Sequence, residues 1–283
     1  MALKKDGNIF KILEIELIGN SLKEVLGLIE QRIAKKQRTF VVTPNPEFLV
    51  FSREAPWFKR ILTRSDIAIP DGVALLWARE VLKKNSLFGR LLIGFLTGLK
   101  VIFAGWGQKR INGTDLMEKL CQLAAGKGWG VYLLGGKPGI AQKTLEILQN
   151  RYPGLRGWAQ TGPQLKLEAE NTENTSGVVL GDINQKTPDL LFVAFGMGKQ
   201  EKFISDNWEK LNVRVAMGVG GAFDFLSGRV KRAPRWVQNL GFEWFYRLAR
   251  QPWRIYRQLS LGKFIFLVLK ERLSTFTLHA QKP

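Results

Sequence analysis

Histidine and cysteine are nearly absent from this chain: 283 residues carry one of each, His279 and Cys121. A disulfide framework and a cysteine-rich zinc site are therefore excluded, and histidine-based catalysis or metal binding has little to draw on. Residues 1–10 lack the apolar run of a secretory signal, so a cytoplasmic protein is expected. Acids are also scarce, with 24 Asp+Glu against 43 Lys+Arg and a formal net charge of +19. Any enzyme chemistry must then fall mainly to carboxylates and arginines. Apolar residues are plentiful, at 45% of the chain with 9 Trp and 18 Phe, which rules out a disordered tail protein. One α/β domain of roughly 200 residues with an appendage fits the length.

Long uninterrupted apolar runs are missing as well. The nearest to a membrane span is 87–106, which contains Arg90 and Lys100 and glycines at 89, 94, 98 and 105. Two central cations would cost roughly 2.5–3.5 kcal/mol each on insertion, so this stretch reads as an interfacial or partly buried element. The positive charge is concentrated in two places. Residues 229–283 hold twelve Lys/Arg against Glu243 and Glu271, and residues 83–110 hold six cations and no acid.

The remainder alternates short apolar runs with helical periodicity. Strands are expected at 12–18, 39–43, 66–70, 130–134, 189–195 and 213–219, and helices at 21–36, from 72, and at 112–127, 138–152 and 199–211. The polar stretch 165–175 reads as an exposed connection or the start of a short helix. Such alternation predicts a Rossmann-like, mostly parallel sheet with helices on both faces. Ligands in these sheets bind beyond the carboxyl ends of the strands. Five strand ends carry suitable residues. Thr43-Pro44-Asn45-Pro46-Glu47 reads as a turn exposing a hydroxyl and an amide, and Pro70-Asp71-Gly72 puts a carboxylate where a helix begins. From spacing alone Asp71 is equally an ordinary N-cap. Gly135-Gly136-Lys137-Pro138-Gly139 offers backbone N–H groups to a phosphate or nucleoside without being a Walker loop. The runs 196–201 and 218–224 place glycines beside Gln200 and Asp224.

TPNPE at 43–47, PDG at 70–72, RINGTDL at 110–116, YLLGG at 132–136, FGMGKQEKF at 195–203, GVGGAFDFLSG at 218–228 and RAPRWVQNLGFEWFYRLARQPWR at 232–254 together resemble the WecG/TagA/CpsF family of bacterial glycosyltransferases. The resemblance implies an inverting enzyme that moves N-acetylmannosamine, its uronic acid or a hexose from a UDP-sugar to a polyprenyl-diphosphate-linked sugar in cell-surface polysaccharide synthesis. It implies Asp71 as general base, with Thr43 beside it in the catalytic centre and Asn45 in the same pocket. It adds Arg110, Gln200 and Asp224 as cleft residues, and Arg247, Arg254 and Arg257 as C-terminal arginines that stabilise the UDP leaving group. Gly135 and Gly136 belong to the same substrate-binding set.

No metal and no other cofactor are expected. Residues 1–228 are expected to form the core and 229–283 a basic, aromatic, helical, membrane-associating appendage, so that the protein lies on the inner face of the plasma membrane. Where family members have a short linker, this chain carries a basic apolar insertion at 83–109, whose role stays open. A homo-oligomer and a monomer are both compatible with the resemblance. Two other classes fit the charge alone: a non-catalytic membrane-surface scaffold and a basic nucleic-acid-binding protein. No recognition-helix, zinc-finger or ribonucleoprotein motif supports the latter, so no nucleic-acid partner is expected.

Overall fold

The computed structural model describes residues 9–104, 111–162, 173–234, 237, 243–250 and 255–271. Their order is β1 (Ile9–Ile12), β2 (Ile15–Ile18), α1 (Leu22–Ala34), β3 (Thr39–Val42), α2 (Pro46–Glu54), α3 (Pro56–Arg64), β4 (Ile67–Ala68), α4 (Val73–Leu82) and α5 (Leu87–Ala104). There follow α6 (Gly113–Lys127), β5 (Gly130–Gly135), α7 (Ile140–Arg151), β6 (Arg156–Gln160), α8 (Glu173–Lys186), β7 (Leu190–Ala194), α9 (Lys199–Asp206) and β8 (Val215–Gly218). The last are α10 (Ala222–Leu226), α11 (Glu243–Arg250) and α12 (Ile255–Lys270).

Strands β3 to β8 form a six-stranded sheet in the order β4-β3-β8-β7-β5-β6, and every pairing in it is parallel. The two-residue period of a strand divides its side chains between two cores. Phe40, Val42, Leu191 and Val193 join one apolar cluster with α2, α3, α8 and α9, while Val41, Leu190, Phe192 and Met217 join another with α1, α6, α7 and α10. Burial on both faces is why these strands read as continuous apolar runs.

The expected strand at 12–18 is instead an antiparallel hairpin, β1–β2, separate from the main sheet. Leu13 and Glu14 turn the chain with φ of 47° and 70°. Neither is a Gly, Asn or Asp, so the sequence carries no ordinary signal for that turn. The expected helix at 199–211 stops at Asp206 and continues as a 3₁₀ turn, Trp208–Lys210. The polar stretch expected at 165–175 lies largely outside the described residues; α8 begins at Glu173.

From β5 the chain passes through α7 outward to β6, whereas from β7 it passes through α9 the opposite way to β8. The α7 and α9 helices contribute to different cores and so cover opposite faces. The carboxyl ends of β5 and β7 therefore border a topological switch point, the place where an open α/β sheet leaves a crevice for a ligand.

Candidate active site

At the β3–β4 side of the crevice, pairing continues past the strands proper. Ile69 N–H donates to Val42 O at 2.9 Å and Asp71 N–H to Pro44 O at 2.8 Å, and Asp71 forms an isolated parallel bridge with Ile111. These bonds bring together the chain around Asp71, the turn after Thr43, and the entry to α6. The N-cap of α4 is Gly72, at φ 97°, so Asp71 lies one residue before the cap position. The expected turn at 43–47 is in fact a helix start. Pro46 opens α2, and Asn45 Oδ1 accepts from Phe48 N–H at 3.1 Å, so the amide oxygen of Asn45 caps the helix. Thr43 is half-buried against α6: a β-carbon on Gly113 would lie 3.2 Å from its hydroxyl oxygen. Gly113 in the RINGTDL segment thus gives Thr43 its place.

At the switch point Gly136 N–H donates to Ala194 O at 2.9 Å. Gly135 has φ 105°, and a β-carbon there would lie 2.8 Å from that same carbonyl. Only glycine permits this approach between the β5 and β7 loops. Beneath them sits a buried polar brace. Gln200 Oε1 accepts from Gly220 N–H at 2.9 Å, and its Nε2 donates to Glu201 Oε1 at 2.7 Å. Glu201 Oε2 accepts from Gly198 N–H at 2.7 Å. The pair ties the loop after β7 to the loop after β8. Gln200 and Glu201 are 3% and 1% exposed, so the Gln200 amide serves the loops from below instead of standing open in the crevice. Burial pushes the Glu201 carboxyl up to about 7, against the lowering effect of its bonds from Gln200 and Gly198. Gly218 makes room for both, since a β-carbon there would lie 2.7 Å from Gln200 Nε2 and from Glu201 Oε1.

Asp224, on α10, is half-exposed and accepts from Arg229 Nη1 at 2.8 Å. Farther on, Arg232 grips Asp115 in the first turn of α6 with both Nη atoms, one bond measuring 2.9 Å. The described structure therefore groups Thr43, Asn45 and Asp71 near the start of α6, and Gly135, Gly136, Gln200 and Asp224 around the switch-point loops. Arg110 and Arg254 lie outside the described residues. Arg247 and Arg257 fall on α11 and α12, but their side chains are outside the described set.

Sequence reasoning passed over Glu201, Asp115, Arg229 and Arg232. A signal for Glu201 existed: Gln200 shares a helical face with Phe203 and Ile204, both buried, so the polar pair heading α9 was bound to turn inward. The Arg232–Asp115 pair, distant in sequence, left no local trace.

A doubly wound parallel sheet whose glycine-rich loops meet at a switch point, beside a strand-end carboxylate, is the arrangement in which α/β proteins place their ligands. The sequence profile described as "Glycosyl transferase WecG/TagA/CpsF family" matches residues 10–91 and 94–277. The chain belongs to this family and is a glycosyltransferase. It is 29% identical over 266 residues to the N-acetylglucosaminyldiphosphoundecaprenol N-acetyl-beta-D-mannosaminyltransferase of Bacillus subtilis (strain 168), covering 94% of this chain and 93% of that protein. The protein of the same name from Bacillus spizizenii (strain ATCC 23059 / NRRL B-14472 / W23) is 29% identical over 267 residues, with 94% and 93% covered.

Proposed function

We propose that this chain transfers a sugar, N-acetylmannosamine in the first instance, from a UDP-sugar to a polyprenyl-diphosphate-linked N-acetylglucosamine, with inversion at the anomeric carbon. The two Bacillus relatives, whose names state this acceptor and this sugar, support the substrate choice. The observation that carries the mechanism is the position of Asp71: it stands at a strand end, its backbone N–H donating to Pro44 O, one residue before the Gly72 N-cap of α4.

Asp71 takes the proton of the acceptor hydroxyl as that oxygen forms its bond to the anomeric carbon. The bond from that carbon to the UDP oxygen breaks on the opposite face, and UDP leaves as the anion. Thr43 and Asn45 border the base, and the loop after β5, which Gly135 and Gly136 allow to pass close to β7, lines the diphosphate site. The brace through Gln200 holds the loops in register, and Asp224 lines the same crevice. Arg110, Arg247, Arg254 and Arg257 stabilise the departing diphosphate, a task suited to guanidinium forks. Residues 1–228 carry the cleft, and 229–283 act as the appendage that brings it to a lipid-linked substrate, so the protein works as a peripheral protein at the cytoplasmic face of the membrane. No described helix is long and apolar enough to cross a membrane.

The test is UDP release, screened across UDP-sugars with an undecaprenyl-diphosphate-N-acetylglucosamine acceptor. Turnover with UDP-N-acetylmannosamine supports the reading. Absence of turnover with every donor, in protein that melts cooperatively, overturns it.

A further inference from the structure

The helix α5 presents an apolar face that none of the described residues covers. Leu87, Phe88, Leu91, Leu92, Phe95 and Leu96 are 48–77% exposed, as large apolar side chains seldom are in such numbers together. At about 100° per residue they fall within roughly half the circumference of the helix. The other half is anchored. Trp77 Nε1 donates to Gly94 O at 2.9 Å, and a β-carbon on Gly94 would lie 3.1 Å from the Trp77 ring, so α4 and α5 meet closely there. Arg90, 5% exposed, reaches the C-terminal end of α12, donating to Leu269 O at 3.1 Å and Glu271 O at 2.5 Å. The orientation of α5 is thus fixed from behind, and its outward face is a built surface.

We infer that this face of α5 docks on an anionic lipid bilayer, lying in the interface with its apolar residues among the acyl chains. Charge identifies the occupant. Residues 83–104 contain no acid, and neither does α12. Lys83, Lys84 and Lys100 stand exposed along the insertion, and Lys263 and Lys270 along α12. The acids paired to this rim, Glu80 with Lys83 and Glu54 with Lys263, are already engaged. A second copy docking through the same patch would set cations against cations, whereas an anionic bilayer offers both an apolar interior and the complementary sign. The α12 helix beside it adds exposed Leu259, Ile265 and Phe266. The inference rests on the lipid-linked substrate proposed above, and it assigns the contact to the insertion as well as to the tail.

The test uses the full chain and two vesicle types, pure phosphatidylcholine and the same lipid with about a third phosphatidylglycerol. Co-sedimentation with the anionic vesicles, weakened by salt, is expected. Phe88→Ser with Phe95→Ser should melt as the parent does and bind these vesicles at least about tenfold more weakly. Transfer to a water-soluble, short-chain acceptor should be unchanged, while transfer to the long-chain acceptor in vesicles falls. Vesicle binding equal to that of the parent overturns the inference, as does a parent dimer that the double variant splits without loss of vesicle binding. Absence of transfer to the short-chain acceptor by the parent would instead count against the proposed reaction, leaving the vesicle result to judge the surface by itself.

Discussion

Arg232 holds Asp115 with both terminal guanidinium nitrogens across 117 positions of sequence, fastening the segment after α10 to the first turn of α6. The same helix start carries Gly113, on which Thr43 rests. A double-mutant cycle with Arg232→Ala and Asp115→Ala should give a coupling of about 1 kcal/mol, since both side chains keep partial contact with water. Arg232→Lys, which keeps the charge and loses the fork, should recover less than half of it. Coupling indistinguishable from zero in urea denaturation would remove the pair from the forces that shape the site.

Asp71→Asn should leave the melting temperature within a few degrees of the parent and lower transfer by about 10²–10⁴-fold, the range for loss of a general base. Retention of near-parent turnover would assign the proton elsewhere.

Glu201 makes stability depend on pH. Its carboxyl titrates near 7 when folded and near its ordinary 4.5 when unfolded, so between these values the unfolded chain holds fewer protons. The stabilising contribution is full below about pH 4.5, declines as pH rises toward 7, and is absent above, for a total on the order of 3 kcal/mol. Comparing parent with Glu201→Gln in denaturant melts at pH 5 and pH 8 isolates the effect. The parent should lose more stability over that interval than the variant, and parallel losses would contradict the assignment.

Gly218→Ala should destabilise by about 1–3 kcal/mol, because the new methyl group presses on the Gln200–Glu201 brace from 2.7 Å. Since that brace ties together the loops after β7 and β8, the variant should also raise the KM for the donor more than it lowers kcat. An unchanged KM would separate the brace from donor binding.

Phe264 and Val268 on α12 are fully buried in the cluster that also contains Phe48, Leu49 and Leu75. Phe264→Ala should therefore cost about 3–5 kcal/mol, as a deep core truncation does. Cutting the chain at 229 should produce a destabilised protein, measurable as a lower melting temperature and a lower soluble yield. A truncated chain with parent-like melting would show that α12 is dispensable to the core.

The parallel sheet was legible because strands such as β5 and β7 are buried on both faces and therefore apolar throughout. The edge strand β6 was not: Arg156–Gln160 is largely half-exposed, and its packing shows only in close contacts, since a β-carbon on Gly130 would lie 2.9 Å from Trp158 and one on Gly157 would lie 2.6 Å from Leu145. The hairpin turn at Leu13 and Glu14 was hidden because residues that usually avoid positive φ adopt it there. At the site, the glycines and Asp71 could be found, since strand ends and turn chemistry are local. The capping of α2 by Asn45 was masked by the two prolines around it, which read equally as a turn. The inward course of Gln200 and Glu201 was signalled by the buried Phe203 and Ile204 farther along α9, but the bond from Gly220 N–H to Gln200 joins loops 20 positions apart and left no local trace.

Arg90 links two stretches that the sequence keeps far apart, for its guanidinium closes the end of α12 from within α5. The hydrogen bond from Leu13 N–H to the Glu271 carboxylate, at 2.9 Å, secures the same corner to the N-terminal hairpin. These three pieces form one unit: without residues 255–271 Arg90 would keep Lys84 O as an acceptor but lose the carbonyls at the end of α12 that draw its guanidinium inward.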